Sequence, residues 1–366
     1  MKKYAYWGFI LMLVLVFTLA GCGGGGGSKT TGPETAVPRY FAYTMHSDGK
    51  ISVFSINSSG ALSPVSSLPT GYASSDSSLA ADKSGKFLYV AQYTGSNGVS
   101  VYSIHPTTGA LSPVADSPFT TDSNPKKVAV DPTGNFVAVG CRTRLNLFSR
   151  DQTTGKLSVS DRLDFSFASG QELGAISFDR TGQFLYIAVS TGDIYVYEKD
   201  AGSNTFTQFG NTYETRTSPT SMAFNPSSSH LFVSTSSTTA IPIHPVKGDG
   251  SLDGFISLNI GAQSHSLIID GDYIYIAKFT GLSAYSIANP DSIAQIGTTL
   301  SLGTVMEPNS LAFDPTRNFL YVTAWDSKKI WVFARNSTNG SLTAISESTF
   351  ETDANISSIV TVKTTN

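Results

Sequence analysis

Cysteine is nearly absent: the 366 residues contain two, Cys22 and Cys141. One intramolecular disulfide is the most the chain could form, so its stability must come from packing. Charge is also scarce. Asp, Glu, Lys and Arg together make up 14% of the residues, where roughly 25% is usual for soluble domains, and Ser, Thr, Asn and Gly take their place on the surface. The net charge of −3 comes with no basic cluster, which excludes a nucleic-acid partner, because binding phosphates takes clustered positive charge. The five histidines are scattered, with no His-x-His or Cys-x-x-Cys pair, so no metal site is expected. No glycine-rich loop opens a helix, so no nucleotide cofactor is expected either. Long apolar runs are missing except for one, Tyr4 to Leu19, which falls short of the roughly 20 residues a transmembrane helix needs.

That run follows Lys2 and Lys3 and ends in Leu19-Ala20-Gly21-Cys22, the order of an export signal. The ending resembles the lipobox of bacterial lipoproteins. The resemblance implies cleavage before Cys22, lipid on its sulfur and new amino group, and attachment to the cell envelope facing the periplasm or surface. Gly23 in place of aspartate implies the outer membrane if the cell is Gram-negative. Residues 1–21 are then a signal peptide and the membrane is a partner through the anchor. Residues 22–38 have too little apolar surface to fold. They form a tether of roughly 20–25 Å, from a flexible-chain scaling of about 5–6 Å × √n.

Residues 39–366 repeat one unit. "LAADKSGKFLYVA" from Leu79, "VAVDPTGNFVAVG" from Val128, "ISFDRTGQFLYIA" from Ile176, "MAFNPSSSHLFVS" from Met222, "LIIDGDYIYIA" from Leu267 and "LAFDPTRNFLYVT" from Leu311 share an acidic or amide position. It falls at Asp82, Asp131, Asp179, Asn225, Asp270 and Asp314, giving steps of 49, 48, 46, 45 and 44 residues. A period of this size fits a propeller blade of four antiparallel strands. Asp-Pro-Thr-Gly is a turn signal, and Phe184 to Ala188 reads as a strand covered on both faces. "TTGAL" from Thr107, "TTGKL" from Thr153 and "TNGSL" from Thr338 mark a second turn with glycine at a left-handed position. The ends are out of phase. The chain from Arg39 has a second and third strand with no first, whereas "ISSIVTVKT" from Ile356 is a first strand with nothing after it. The expected fold is therefore an all-β, seven-bladed β-propeller, its ring closed by the C-terminal strand completing the N-terminal blade, and a monomer.

The pattern "dPtGkflYv…vysi…tGaLs" resembles the seven-bladed β-propeller lactonase family, whose named enzyme hydrolyses 6-phosphogluconolactone, and the neighbouring YVTN surface repeats, echoed by "YVAQ" from Tyr89 and "YVTA" from Tyr321. The resemblance implies lactone hydrolysis with a histidine at the mouth of a central funnel, third in a Pro-Arg-His-like triplet just before an inner strand. The corresponding triplets here are Pro125-Lys126-Lys127, Leu173-Gly174-Ala175, Pro219-Thr220-Ser221, Ser264-His265-Ser266 and Pro308-Asn309-Ser310. None carries histidine third. His265 stands one place early, and on a regular strand a displacement of one residue turns a side chain to the other face.

The loops leading into the inner strands and those joining second to third strands gather on one face. The first set presents Lys126, Lys127, Glu172, His265, Glu307 and Asn309; the second presents His46, Tyr93, Arg142, Arg144, Lys278, Trp325 and Asp326. Lactone hydrolysis would need a base for water and a cation for the developing oxyanion, which His265 and Arg142 could supply. Lys126, Glu172, His46, Tyr93, Trp325, Asp326 and Asn309 are the candidate ligand contacts, with Trp325 and Tyr93 as an aromatic platform. The repeated Asp positions read as turn structure, since Asp accepts local backbone hydrogen bonds. The preferred functional expectation is a binding module for a small molecule, glycan or envelope protein at the funnel face. Lactone hydrolysis and an envelope scaffold or assembly role are the alternatives.

Overall fold

The repeated apolar pentads become the second strand of each unit, as in Phe87–Ala91 and Phe136–Gly140, where every side chain is buried. A strand covered on both faces needs neighbouring sheets on either side, and stacked blades provide them. The computed structural model describes residues 38–71, 77–92, 98–164, 171–289, 292–303, 307–325 and 327–365. The leader with Cys22, as well as Tyr93 and Asp326, lies outside these described residues.

Seven antiparallel sheets follow one another along the chain. Blade 2 illustrates the plan, from the inner strand Ser78–Ala81 through Phe87–Ala91 and Gly98–Ile104 to the outer Leu111–Pro113. The inner strands of blades 3 to 7 are Lys127–Val130, Leu173–Phe178, Pro219–Phe224, Ser264–Asp270 and Pro308–Phe313. Blade 1 takes its inner strand from the other end of the chain. Ile356–Thr364 pairs with Arg39–His46, with Tyr43 opposite Val360 and Thr44 opposite Ile359.

The core divides into seven apolar clusters, each between two adjacent blades. The cluster containing Ala42, Phe54 and Ile356 of blade 1 also contains Tyr321 and Val332 of blade 7, so the ring is closed. Closure removes the two free faces that an open stack of blades would leave in water.

Of the two repeated turn motifs, the first is knit within its own blade and the second joins neighbouring blades. At Asp82, Asp131, Asp179 and Asp314 the carboxylate accepts backbone N–H groups of its own turn, as when Asp131 takes those of Thr133 and Phe136, whereas Asp270 ends its strand and binds arginines instead. In the second turn the glycine carbonyl receives a buried tyrosine hydroxyl from the preceding blade. Tyr43 donates to Gly109 at 2.8 Å, Tyr186 to Gly250 at 2.7 Å, Tyr275 to Gly340 at 2.9 Å and, across the closure, Tyr321 to Gly60 at 2.8 Å. Two interfaces add a buried cation. Arg150 binds Asp82 at 2.9 Å and donates to the Tyr89 hydroxyl; Arg335 does the same with Asp270 at 2.8 Å and Tyr275 at 2.9 Å.

Candidate functional site: the axial funnel

The seven inner strands leave an opening on the axis. At its mouth a cavity of about 440 Å³ is lined by one residue from each blade, namely Ser77, Lys126, Gly174, Thr220, His265, Asn309 and Ser357, together with Lys127, Glu307 and Trp325. Sites for small molecules span roughly 300–1,000 Å³.

A β-bulge explains how His265 comes to stand in this ring. Ser264 pairs with Lys278 and Ser266 with Ala277, so two steps on the inner strand match one on its partner and His265 is the extra residue. Gly174, Thr220 and Asn309 occupy the same bulge in blades 4, 5 and 7, and Ser357 occupies it in blade 1. A bulge re-aims a side chain that regular alternation would turn away. His265, although one place early in its triplet, therefore lines the funnel.

Burial holds the His265 imidazole below its ordinary pKa. Glu307 opposes that shift and Lys127 reinforces it. The ring tilts against Phe279 with centroids 4.9 Å apart, and its Nε2 is buried with no hydrogen-bond partner among the described residues. Nε2 is thus closed to a ligand, and Nδ1 is the imidazole nitrogen left to the cavity.

The other candidates divide between the funnel and its surroundings. Lys126 and Trp325 line the cavity, as expected. Asn309 lines it too, but its amide braces the ring closure, donating to the Ile356 carbonyl at 2.8 Å and accepting from the Thr323 hydroxyl at 2.8 Å. Glu172 stands at the rim between Lys126 Nζ, at 3.3 Å, and Arg142 Nε, at 3.1 Å. Arg142 is thus occupied by Glu172 outside the cavity lining. Arg144 lies 3.6 Å from Asp122. Lys278 is buried, with its ammonium on the Ile260 carbonyl at 2.8 Å.

His46 does not reach the funnel and is the clearest correction to the expected set. It is 3% exposed, held by the Thr44 hydroxyl at 2.8 Å and the Ala354 carbonyl at 3.3 Å. It borders a separate groove at the seam of blades 1 and 7. The sequence reading missed Ser77, Thr220 and Ser357. The triplet spacing contained the signal for Thr220, whereas Ser77 and Ser357 lie in blades for which no triplet had been aligned. Among the described residues, no group of three His, Cys, Asp or Glu side chains is placed to hold a metal ion.

The fold and this opening define a seven-bladed propeller with a polar axial funnel. Within that class the chain belongs to the family described as Lactonase, 7-bladed beta-propeller, which it matches over residues 38–166 and 262–357. No functionally curated protein matches it significantly. Among solved structures it is similar to the periplasmic gluconolactonase PpgL of Pseudomonas aeruginosa, with a TM-score of 0.75 and 15% identity over 89% of this chain and 99% of that one. It is similar to a Bacteroides uniformis protein provisionally described as a 6-phosphogluconolactonase, with a TM-score of 0.75 and 16% identity over 89% and 99%. A Lactobacillus plantarum protein shares a TM-score of 0.75 and 14% identity over 89% and 100%. At these identities the likeness is one of fold.

Proposed function

We propose that this protein is an exported, lipid-anchored binding module whose funnel holds a small, oxygen-rich molecule such as a sugar or sugar acid. The observation that carries the reading is the composition of the cavity. Lysine, glutamate, imidazole, hydroxyl and amide groups surround a space of about 440 Å³ beside the indole of Trp325, a mix that suits hydroxylated ligands with one flat face. The leader ending at Cys22 supports a location outside the cytoplasm. The fold shared with a periplasmic gluconolactonase agrees with it. A sugar and sugar-acid array, probed with the full chain in detergent, tests the reading. Trp325→Ala is expected to weaken every hit by about tenfold, the worth of one stacking contact; an unchanged profile would refute it.

One observation favours a second reading, lactone hydrolysis. Glu307 lines the same cavity as Lys127 and His265, so a carboxylate stands as a base beside an ammonium. Water attacks the lactone carbonyl and gives its proton to Glu307, while the Lys127 ammonium stabilises the oxyanion. Ring opening then returns a proton to the leaving alkoxide. In this arrangement Glu307, not His265, is the base. Turnover of any member of a lactone panel, lost in Glu307→Gln, would establish it; no turnover across the panel would remove it.

A further inference from the structure

Away from the funnel mouth, the inner strands end in the turns that lead to the second strands. Among the described residues of these turns in blades 2 to 7, Lys83, Lys86, Arg180 and Arg317 are exposed cations, and Asp272 is the exposed carboxylate. A cavity of about 540 Å³ opens at this lower end, lined by Lys83 of blade 2, Arg317 of blade 7 and Lys363 of blade 1. The two carboxylates in its lining are buried and already engaged. Asp82 holds Arg150 at 2.9 Å and the Phe87 N–H at 2.7 Å, and Asp314 takes the N–H groups of Thr316 at 2.8 Å and Phe319 at 2.6 Å. Lys83 and Lys363 have no hydrogen-bond or ion-pair partner among the described residues. Arg317 stands 3.7 Å from Asp270, with its side chain 52% exposed.

Arg317 is held there against its backbone preference. The matching turn position is Gly85, Gly134 and Gly182 in blades 2, 3 and 4, with φ of 68°, 76° and 74°, and the small Ser228 in blade 5. Arg317 has a φ of 65°, a left-handed conformation that is costly for any residue with a Cβ. Glycine would relieve that cost, so an arginine in this place points to a task for its side chain. The path of the chain gives an independent sign of what the task is. Arg39, itself exposed, opens blade 1 and pairs with Thr364, next to Lys363, so the segment that follows Cys22 joins the ring at this same end.

We propose that the lower face docks on an anionic phospholipid surface, with Lys83, Arg317 and Lys363 taking a lipid phosphate in the cavity. The funnel mouth, at the other end of the inner strands, then points away from the membrane. The proposal rests on the lipid-anchor reading, which brings this face to that surface. Each cation near an anionic surface strengthens attachment about fivefold, so the three together hold the face down on the order of 100-fold.

Amine footprinting tests the docking. The full lipidated chain is added from detergent to preformed vesicles of phosphatidylcholine, alone or mixed with phosphatidylglycerol, and flotation shows whether it is anchored. A brief pulse of a membrane-impermeant acetylating reagent, at low conversion, is then read at each lysine by mass spectrometry. Lys83 and Lys363 are expected to label about 100-fold more slowly in the vesicles that contain phosphatidylglycerol, and Lys50, in the groove beside His46, to label equally in both. Sodium chloride at about 1 M, where the screening length falls to about 3 Å, should restore labelling. Arg317→Gly should speed it about fivefold without lowering the melting temperature, and Arg317→Lys should keep the protection. Equal labelling of Lys83 and Lys363 in the two kinds of vesicle, or slowing that Arg317→Gly leaves untouched, overturns the proposal. Slowing in phosphatidylcholine vesicles once sodium phosphate is added assigns the cavity to a free anion and overturns the lipid assignment. A chain that floats with neither vesicle fails the anchor reading, and the docking falls with it.

Discussion

Replacing Gly109 by alanine tests how the blades are held together. Gly109 has a φ of 71°, and a Cβ built there would lie 2.5 Å from Cδ1 and 2.7 Å from Cε1 of Phe41, in the preceding blade. Two costs add. The left-handed backbone costs about 1–2 kcal/mol for a residue with a Cβ, and forcing a methyl into packed atoms costs about 1–3 kcal/mol. If the turn shifts to relieve the clash, the buried Tyr43 hydroxyl loses the Gly109 carbonyl, a penalty again of about 1–3 kcal/mol. The expected destabilisation is about 2–5 kcal/mol. Gly261 provides the control, with a φ of 75° and nothing within 4 Å of its added Cβ, so Gly261→Ala should show only the backbone cost of about 1–2 kcal/mol. Urea denaturation of both variants, followed by far-ultraviolet circular dichroism, measures the difference. Equal losses would show that the interlock between Gly109 and Phe41 contributes nothing, and the account of blade cohesion would fail.

Three other outcomes follow from the same structure. Arg150→Met should cost about 3–5 kcal/mol, because it leaves the Asp82 carboxylate buried without its counter-charge; a midpoint shift no larger than that of Lys50→Met, at an exposed pair, would contradict this. His244, with none of its surface exposed, is pushed by burial down to about 4. Its folded pKa lies below the unfolded value of about 6.5, so the unfolded chain takes the proton first. Stability should be whole above pH 6.5 and fall by about 3 kcal/mol as the pH drops to 4. Denaturation across this range should show a shallower fall in His244→Gln; an identical slope would refute the assignment. Cys22→Ala should move the protein from the membrane to the soluble fraction of cells, and an unchanged distribution would remove the lipid-anchor reading.

Much of the fold was legible because the propeller is written as a period. The spacing of Asp82, Asp131, Asp179, Asn225, Asp270 and Asp314, with half-units at Arg39 and Ile356, is enough to count seven blades and to pair the two ends. The turn role of Asp82, Asp131, Asp179, Asn225 and Asp314 was also readable, since Asx hydrogen bonds are local, but Asp270 is held instead by Arg317 and Arg335 from the next blade. What could not be read depends on partners distant in sequence. The glycine of "TTGAL" announces a left-handed backbone, but not that Phe41 packs on it 68 residues away in the chain. The bulge at His265 is a relation between two strands, and a reading of one strand by its alternation aims the side chain the wrong way. His46 looked like a loop histidine because nothing near it in sequence shows that Ala354, from the closing segment, covers it.

The central claim is that the tail strand closes the ring and so creates the funnel. Amide hydrogen exchange of the full chain, read by mass spectrometry, tests it most directly. A strand at the extreme end of a chain normally frays, but one that forms the inner edge of a blade opens only with the core. The account predicts that peptides spanning Ile356–Thr364 exchange as slowly as those spanning the inner strand Pro308–Phe313. Exchange of the tail within seconds, while Pro308–Phe313 stays protected, would contradict it.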